Sequence, residues 1–459
     1  MEYISTRNNK KTYSFEEIFL KGLAPDGGLF VPKNIPSFSK GEMSALQKLT
    51  YNELATKIIS VFCYDNFTES EIKQIVNNSY KTFRVKDVVE IKKYKSINIL
   101  ELFHGPTLAF KDIAMQIIGN MYEKILKKNN FSINIVVATS GDTGAAAISA
   151  IKNRKNMKIF VLHPENRITE VQRKFMTTVN SDNVFNIALS SNFDQCQSFV
   201  KSMFEDKKFR DEINMSGVNS INWARIIAQI VYYFFSYFKL VADNKKINFT
   251  VPTGNFGDIY AGFIAKKMGL PINKLIIATN NNDILNRVVH TGIYEPLKVK
   301  QTISPSMDIQ IASNFERLIF DLCDFESDEV LKFINDLKKI GKFKLEKKHL
   351  DKMKESFLSG TLSDNQTKSV INHIYKNEGV LIDPHTAVGI GVAEKINLEG
   401  CNVVLSTAHP AKFSNVVENE TKIKPEIPEN LRGILNKKEI YEKIPLDLKK
   451  VQKYILERI

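Results

Sequence analysis

From residue 97 onward, short apolar runs alternate with amphipathic stretches. INILELF (97–103), INIVVAT (133–139), KIFVLH (158–163), NVFNIAL (183–189), NFTVPT (248–253), KLIIAT (274–279) and NVVLST (402–407) predict strands, each running into a polar or Gly-rich loop. KDIAMQIIGNMYEKILKK (111–128), AAAISAIK (145–152) and segments around 168–178 and 193–205 have the spacing of helices. This alternation predicts an α/β fold of doubly wound, mainly parallel sheets covered on both faces. Residues 14–90 have a different texture. Ser14 stands three residues before Glu17, a capping-box spacing, and SFEEIFLKG ends at Gly22 as a helix C-terminus should. PDGGLFVP (25–32) predicts a turn with an extended exit, and helical stretches follow over 44–62 and 70–83. The expected organisation is therefore an N-terminal helical subdomain (1–90), an α/β region (91–245) and a larger α/β domain (246–459). The last carries a charged, helix-rich insertion at 310–380 that is expected to pack outside the sheet.

The longest apolar run, IIAQIVYYFFSYF (226–238), is bounded by Arg225 and Lys239 and is too short for a bilayer of roughly 30 Å. It predicts a buried helix, and no membrane role is expected. The N-terminal MEYISTRNNKKTYSF lacks the apolar stretch of a secretion signal. Four scattered cysteines (63, 196, 323, 401), with no CxxC pair, fit a reducing, cytoplasmic setting. In 459 residues, 43% hydrophobic and 25% charged positions exclude disordered and disulfide-scaffold classes. The formal charge of +13 favours anionic partners, a bias that a phosphorylated metabolite satisfies as well as nucleic acid does.

Ligands of open parallel sheets sit beyond the carboxyl ends of strands, so the loops there hold the candidate chemistry. ATSGDTGAAA (138–147) offers Ser140 and Thr143 hydroxyls and the free N–H groups of a helix start, an anion cradle. VPTGNFGD (251–258) offers a second, with Gly254, Asn255, Phe256 and Gly257 placed to wrap a phosphate. Either alone is compatible with an ordinary strand-to-helix turn. ELFHGPTLAFKD (101–112) puts Lys111 at a helix N-terminus, where the dipole favours anions, so something other than helix stability selects it. A partly desolvated amine there is easier to deprotonate and able to form a Schiff base, although a single lysine in a Lys-rich chain is ordinarily a solvated charge. STAHPAKF (406–413) contributes Thr407, His409 and Lys412; His409 by itself reads as a hydrogen-bonded core residue. The histidines form no HExxH or comparable cluster, so no metal is expected.

Together and in this order these segments resemble the fold type II pyridoxal-phosphate enzymes, and within them the threonine synthase family. YISTRN, APDGGLFVP (24–32), HGPTLAFKD (104–112), SGDTGAAA (140–147), GNFGD (254–258), SPSMDI (304–309) and HPAKF (409–413) carry the resemblance over nearly the whole chain. It implies two sheets with pyridoxal 5'-phosphate between them. Lys111 would carry the cofactor as a Schiff base and then act as acid and base. Gly254, Asn255, Phe256, Gly257 and Asp258 would hold its phosphate, and Thr407 would face the pyridine nitrogen. Ser140, Thr143 and Ser306 would bind substrate, the first two at its carboxylate, and Lys412 would reach the substrate phosphate. Asp142 would stand beside the ring oxygen, where many such enzymes have Asn; it either shares a proton there or does something else. The implied reaction is γ-elimination of phosphate from O-phospho-L-homoserine followed by β-addition of water, giving L-threonine, by a monomer or homodimer. The alternatives are another lyase of this fold type acting on a phosphorylated or hydroxy amino acid, and a catalytically silent anion-binding homologue.

Overall fold

The computed structural model describes residues 1–459 except 96, 166–167 and 242–244. The chain opens with β1 (Tyr3–Ser5), β2 (Asn8–Tyr13) and β3 (Phe30–Pro32), which form an antiparallel sheet ordered β2-β1-β3. The expected helical subdomain therefore begins as a sheet. Its longest strand, NNKKTY, is polar and lies almost wholly in solvent, so no alternation betrays it. Helices follow at Phe15–Lys21, Lys40–Leu46, Tyr51–Cys63 and Glu69–Tyr80, each opened by a Ser or Thr cap paired with Glu three residues on.

The remaining strands are β4 (Glu90–Tyr94), β5 (Ile97–Glu101), β6 (Ile133–Ala138), β7 (Met157–Pro164), β8 (Val184–Leu189), β9 (Met215–Ser216), β10 (Ile247–Pro252), β11 (Ile272–Thr279), β12 (Ile293–Tyr294), β13 (Phe343–Lys344), β14 (Phe357–Thr361), β15 (Cys401–Ser406) and β16 (Glu442–Ile444). They form a six-stranded sheet, β14-β11-β10-β15-β5-β4, a five-stranded sheet, β16-β8-β7-β6-β9, and the short antiparallel pair β12-β13. Every pairing in the two large sheets is parallel except β4 with β5. The fold is thus the α/β, doubly wound, fold type II architecture. The sheets do not follow the expected 91–245 and 246–459 segments: β5 pairs with β15 from the far end of the chain, and β16 joins β8. The 310–380 stretch likewise gives β14 to the sheet edge, beside β11, between helices that pack outside it. Its FLSGT is too short and polar to stand out by pattern.

The helix Trp223–Leu240 contains the 226–238 run and is buried along most of its length, packed against Tyr51–Cys63, Lys111–Asn129 and Gly257–Lys267. Trp223 at its start contacts the rings of Tyr3, Phe62 and Tyr260, docking the N-terminal segment onto the α/β body. Among the described residues no helix is long and apolar enough to cross a membrane.

Candidate active site

The residues following β5, β6, β10 and β15 come together around one cavity of about 400 Å³. Lys111, Thr143, Pro252–Asp258, Ser306 and Thr407 all line it, so strand ends from both large sheets meet there.

Lys111 is held by the loop before it. Asp112, fully buried, accepts from the Thr107 backbone N–H (2.7 Å) and hydroxyl (2.7 Å). Arg84 donates to the carbonyls of Gly105 (2.6 Å) and Phe103 (2.7 Å). A side chain at Gly105 would strike Asp112, its Cβ falling 2.4 Å away, which is why glycine stands at that bend. The Lys111 amine lies 3.6 Å from Asp142. Burial lowers its proton affinity; Asp142 raises it, and Arg225 and Lys412 lower it further, leaving the amine below its ordinary value.

Asp142 begins the helix Asp142–Ile151. It pairs with Lys412 (2.7 Å) and accepts from Gln172 Nε2 (2.9 Å) and the Ser306 hydroxyl (3.3 Å). Burial pushes its carboxyl up, but Lys412 and Lys111 overcome this and hold it well below the usual carboxylate range. Lys412 departs from expectation. It is completely buried, its amine taken by Asp142 and by the Thr107 carbonyl (2.7 Å), and it does not line the cavity. A lysine so enclosed anchors Asp142. Ser140 is half-buried and also stands off the cavity lining. The hydroxyl that folds this turn is that of Thr139, accepting from the N–H groups of Gly141 and Gly144, both at 2.9 Å.

The 253–257 turn has the shape of an anion cradle. Phe256 sits in the left-handed region (φ 65°) and hands over to the helix Gly257–Lys267, whose first N–H groups are unpaired within it. Asn314 fastens the turn, donating from its backbone and side chain to the Asn255 carbonyl, both at 3.0 Å. A Cβ at Gly254 would fall 2.7 Å from the Ser306 carbonyl oxygen, so only glycine lets the two loops close to this distance. Asp258 lines the cavity, but its carboxylate accepts from the hydroxyls of Tyr232 (2.5 Å) and Tyr233 (3.0 Å) in the core, and burial raises it to about 6. Its backbone, at the helix start, is what a phosphate would meet. His409 is a hydrogen-bonded residue outside the lining, its Nδ1 accepting from the Ala411 N–H (3.2 Å).

Four lining residues, Arg225, Asn219, Ser220 and His385, escape the sequence patterns. Arg225 is 4% exposed on the apolar helix, and its Nε is buried with no hydrogen-bond partner among the described residues. Burial lowers it to about 10, yet it stays a cation in the pocket wall, with Asn219 and Ser220 alongside. His385 accepts from the Ser306 N–H (3.2 Å). The charge of Arg225 was visible at the border of the apolar run 226–238; where its side chain points was not.

These residues fit pyridoxal 5'-phosphate: a tunable amine, a phosphate turn kept open by Gly254, and the Thr407 hydroxyl lie around one cavity. The comparisons agree. Residues 2–80 match the family described as threonine synthase N terminus, 94–336 the pyridoxal-phosphate dependent enzymes, and 386–455 the threonine synthase C-terminal family. The threonine synthase of Pseudomonas aeruginosa is 42% identical over 99% of this chain and 98% of its own, and that of Saccharomyces cerevisiae 40% over 98% and 96%. The pyridoxal-phosphate-bound threonine synthase of Brucella melitensis superposes with a TM-score of 0.96 at 42% identity, covering 100% of this chain and 99% of that one. The yeast structure gives 0.94 at 40%, covering 100% and 98%. The chain belongs to the threonine synthase family of pyridoxal-phosphate-dependent lyases.

Proposed function

We propose that this protein converts O-phospho-L-homoserine and water to L-threonine and phosphate. The observation that carries this reading is that a helix-start turn, a cationic arginine and the Lys111 amine share one cavity. The 254–257 turn, Lys111 and Arg225, whose Nε has no hydrogen-bond partner among the described residues, all line the one cavity. A substrate with its own phosphate, bound beside a phosphorylated cofactor, needs both the turn and the arginine.

In this reading Gly254, Asn255, Phe256 and Gly257 hold the cofactor phosphate, with Asp258 contributing its backbone at the helix start. Thr407 faces the pyridine nitrogen. Arg225, flanked by Asn219 and Ser220, takes the substrate phosphate, and Thr143, Ser306 and the more distant Ser140 receive the carboxylate. When bound, the cofactor supplies the electron sink for charge developing on the substrate's carbons. Lys111 holds and returns protons at those carbons; its lowered proton affinity suits an amine that must both give and accept near neutral pH. Asp142, an anion fixed by Lys412 and Gln172, accepts only, so its work is to aim Lys111 rather than to donate to a ring oxygen.

The purified holoenzyme should release phosphate from phosphohomoserine in step with threonine formation, and phosphoserine and phosphothreonine should be poor substrates. Equal turnover of phosphoserine, or none of phosphohomoserine, would reject the reading. Lys111→Ala should abolish turnover and borohydride trapping of the cofactor.

A further inference from the structure

Asp383 caps the helix Pro384–Ile396 and is completely buried. One of its oxygens accepts from the His385 backbone N–H (2.9 Å) and stands 2.7 Å from His385 Nδ1; the other accepts from the N–H (3.3 Å) and hydroxyl of Thr386. The Thr386 hydroxyl also meets Ser406 (2.8 Å), at the end of β15. Across the imidazole, the Ser306 N–H points at Nε2 from 3.2 Å. A carboxylate only accepts and an amide N–H only donates, so the two contacts fix the ring: Nδ1 carries the proton and Nε2 is the bare acceptor. Phe413 packs edge-on against the same ring, centroids 4.8 Å apart.

Ser306 is the residue where three parts of the site touch. Its hydroxyl donates to Asp142, the partner of Lys111. Its carbonyl oxygen lies against Gly254, at the distance a Cβ would forbid. Its N–H belongs to His385. The far side of the turn is tied separately: Asp308 accepts from Asn280 (2.8 Å), Asn282 (3.0 Å) and Thr302 (2.7 Å). The middle of the turn, which faces the cavity, has His385 as its tether.

We propose that His385 is a positioning residue. Held by Asp383 in the neutral Nδ1–H form, it sets Ser306 in register with both the cofactor-phosphate turn and the Asp142–Lys111 pair. The inference rests on the function proposed above and deepens it by assigning the element that spaces the two loops.

Two substitutions separate this role from simple packing. His385→Asn keeps a donor near Nδ1 for Asp383 and removes the acceptor for Ser306; His385→Gln places a carbonyl oxygen near Nε2. In the holoenzyme, H385N should lower kcat/KM for phosphohomoserine by about tenfold or more, since small misplacements at a reacting centre are costly. It should also weaken cofactor affinity, read by fluorescence titration of the apoenzyme, by about threefold or more, while the melting temperature stays near that of the parent. H385Q should stay within about threefold of the parent in both. Parent-like behaviour of H385N, or equal damage by both variants, would overturn the proposal. Should H385N fail to fold, H385Q decides alone, parent-like cofactor affinity sustaining the assignment and a tenfold loss or more ending it. If the parent itself makes no threonine, the proposed function falls, while the affinity comparison still judges His385.

Discussion

Arg225 has an unusual energy balance. A guanidinium inside an apolar helix, its Nε without a hydrogen-bond partner among the described residues, is a liability to folding, because Asp258 offsets its desolvation through space and does not undo it. Its retention makes sense if a ligand supplies a counter-charge. Arg225→Leu should therefore raise the melting temperature of the apoenzyme slightly while cutting kcat/KM for phosphohomoserine by about a hundredfold, the size expected for a lost charge-assisted contact. A melting temperature that falls with activity would mean the residue is structural. His409 makes the opposite kind of prediction, about pH. Burial, and then Arg84, push it from 6.5 down to about 4. Between those values the unfolded chain binds a proton that the fold refuses, so stability contributed by this site is complete above pH 6.5 and is lost as pH falls toward 4. The full effect is on the order of 3 kcal/mol. His409→Asn keeps an acceptor for the Ala411 N–H, so in urea denaturation it should gain on the parent as pH drops from 7 to 4.5. A gap that does not change with pH would refute this.

At the scale of elements, the two loops that close on each other at Gly254 and Ser306 set the geometry of the site. Gly254→Ala must push the turns apart or bend the cradle, because its methyl would meet a backbone carbonyl that cannot rotate away. Cofactor affinity should fall by about tenfold or more with little change in far-UV circular dichroism; unchanged affinity would show that the loops have slack. The strands and helices that carry these loops were legible, because β6, β7, β8, β10, β11 and β15 are largely buried apolar runs, and all but β7 run into a hydroxyl residue. The Gly254 turn was legible because it follows β10 directly, and Lys111 because a cation stands at the start of a helix. Arg225, His385 and Asn314 were not, since they lie inside or before helices and matter only through what the tertiary fold sets opposite them. Where the Lys412 amine ends was not legible, because a motif position says which loop a side chain occupies and nothing about the carboxylate, here Asp142, that the fold sets against it. β2 was missed because NNKKTY has no apolar face to show, and β1 because its three residues, YIS, are too few for a pattern.

Over the whole molecule, the periphery is wired to the cofactor turn through Arg317. This side chain is completely buried, and burial lowers it to about 10. Its Nε donates to the Phe30 carbonyl in β3 (3.0 Å), one terminal nitrogen to the Ile221 carbonyl just before the buried helix (2.5 Å), and the other to the Asn314 side chain. Asn314 in turn donates twice to Asn255. The N-terminal sheet, the segment leading to Arg225 and the phosphate turn thus share one guanidinium, whose planar fork alone has the donors to serve all three. Arg317→Met keeps most of the volume and strands three acceptors in the interior, each costing about 1–3 kcal/mol. The loss should appear in two places at once: a lower urea midpoint and a weaker hold on pyridoxal phosphate, because Asn314 is released together with Phe30. If the midpoint fell while cofactor affinity stayed fixed, Arg317 would be a core residue that happens to lie near the site. If affinity fell and the midpoint did not, the N-terminal sheet would be docked by Trp223 and its aromatic neighbours without help from the guanidinium.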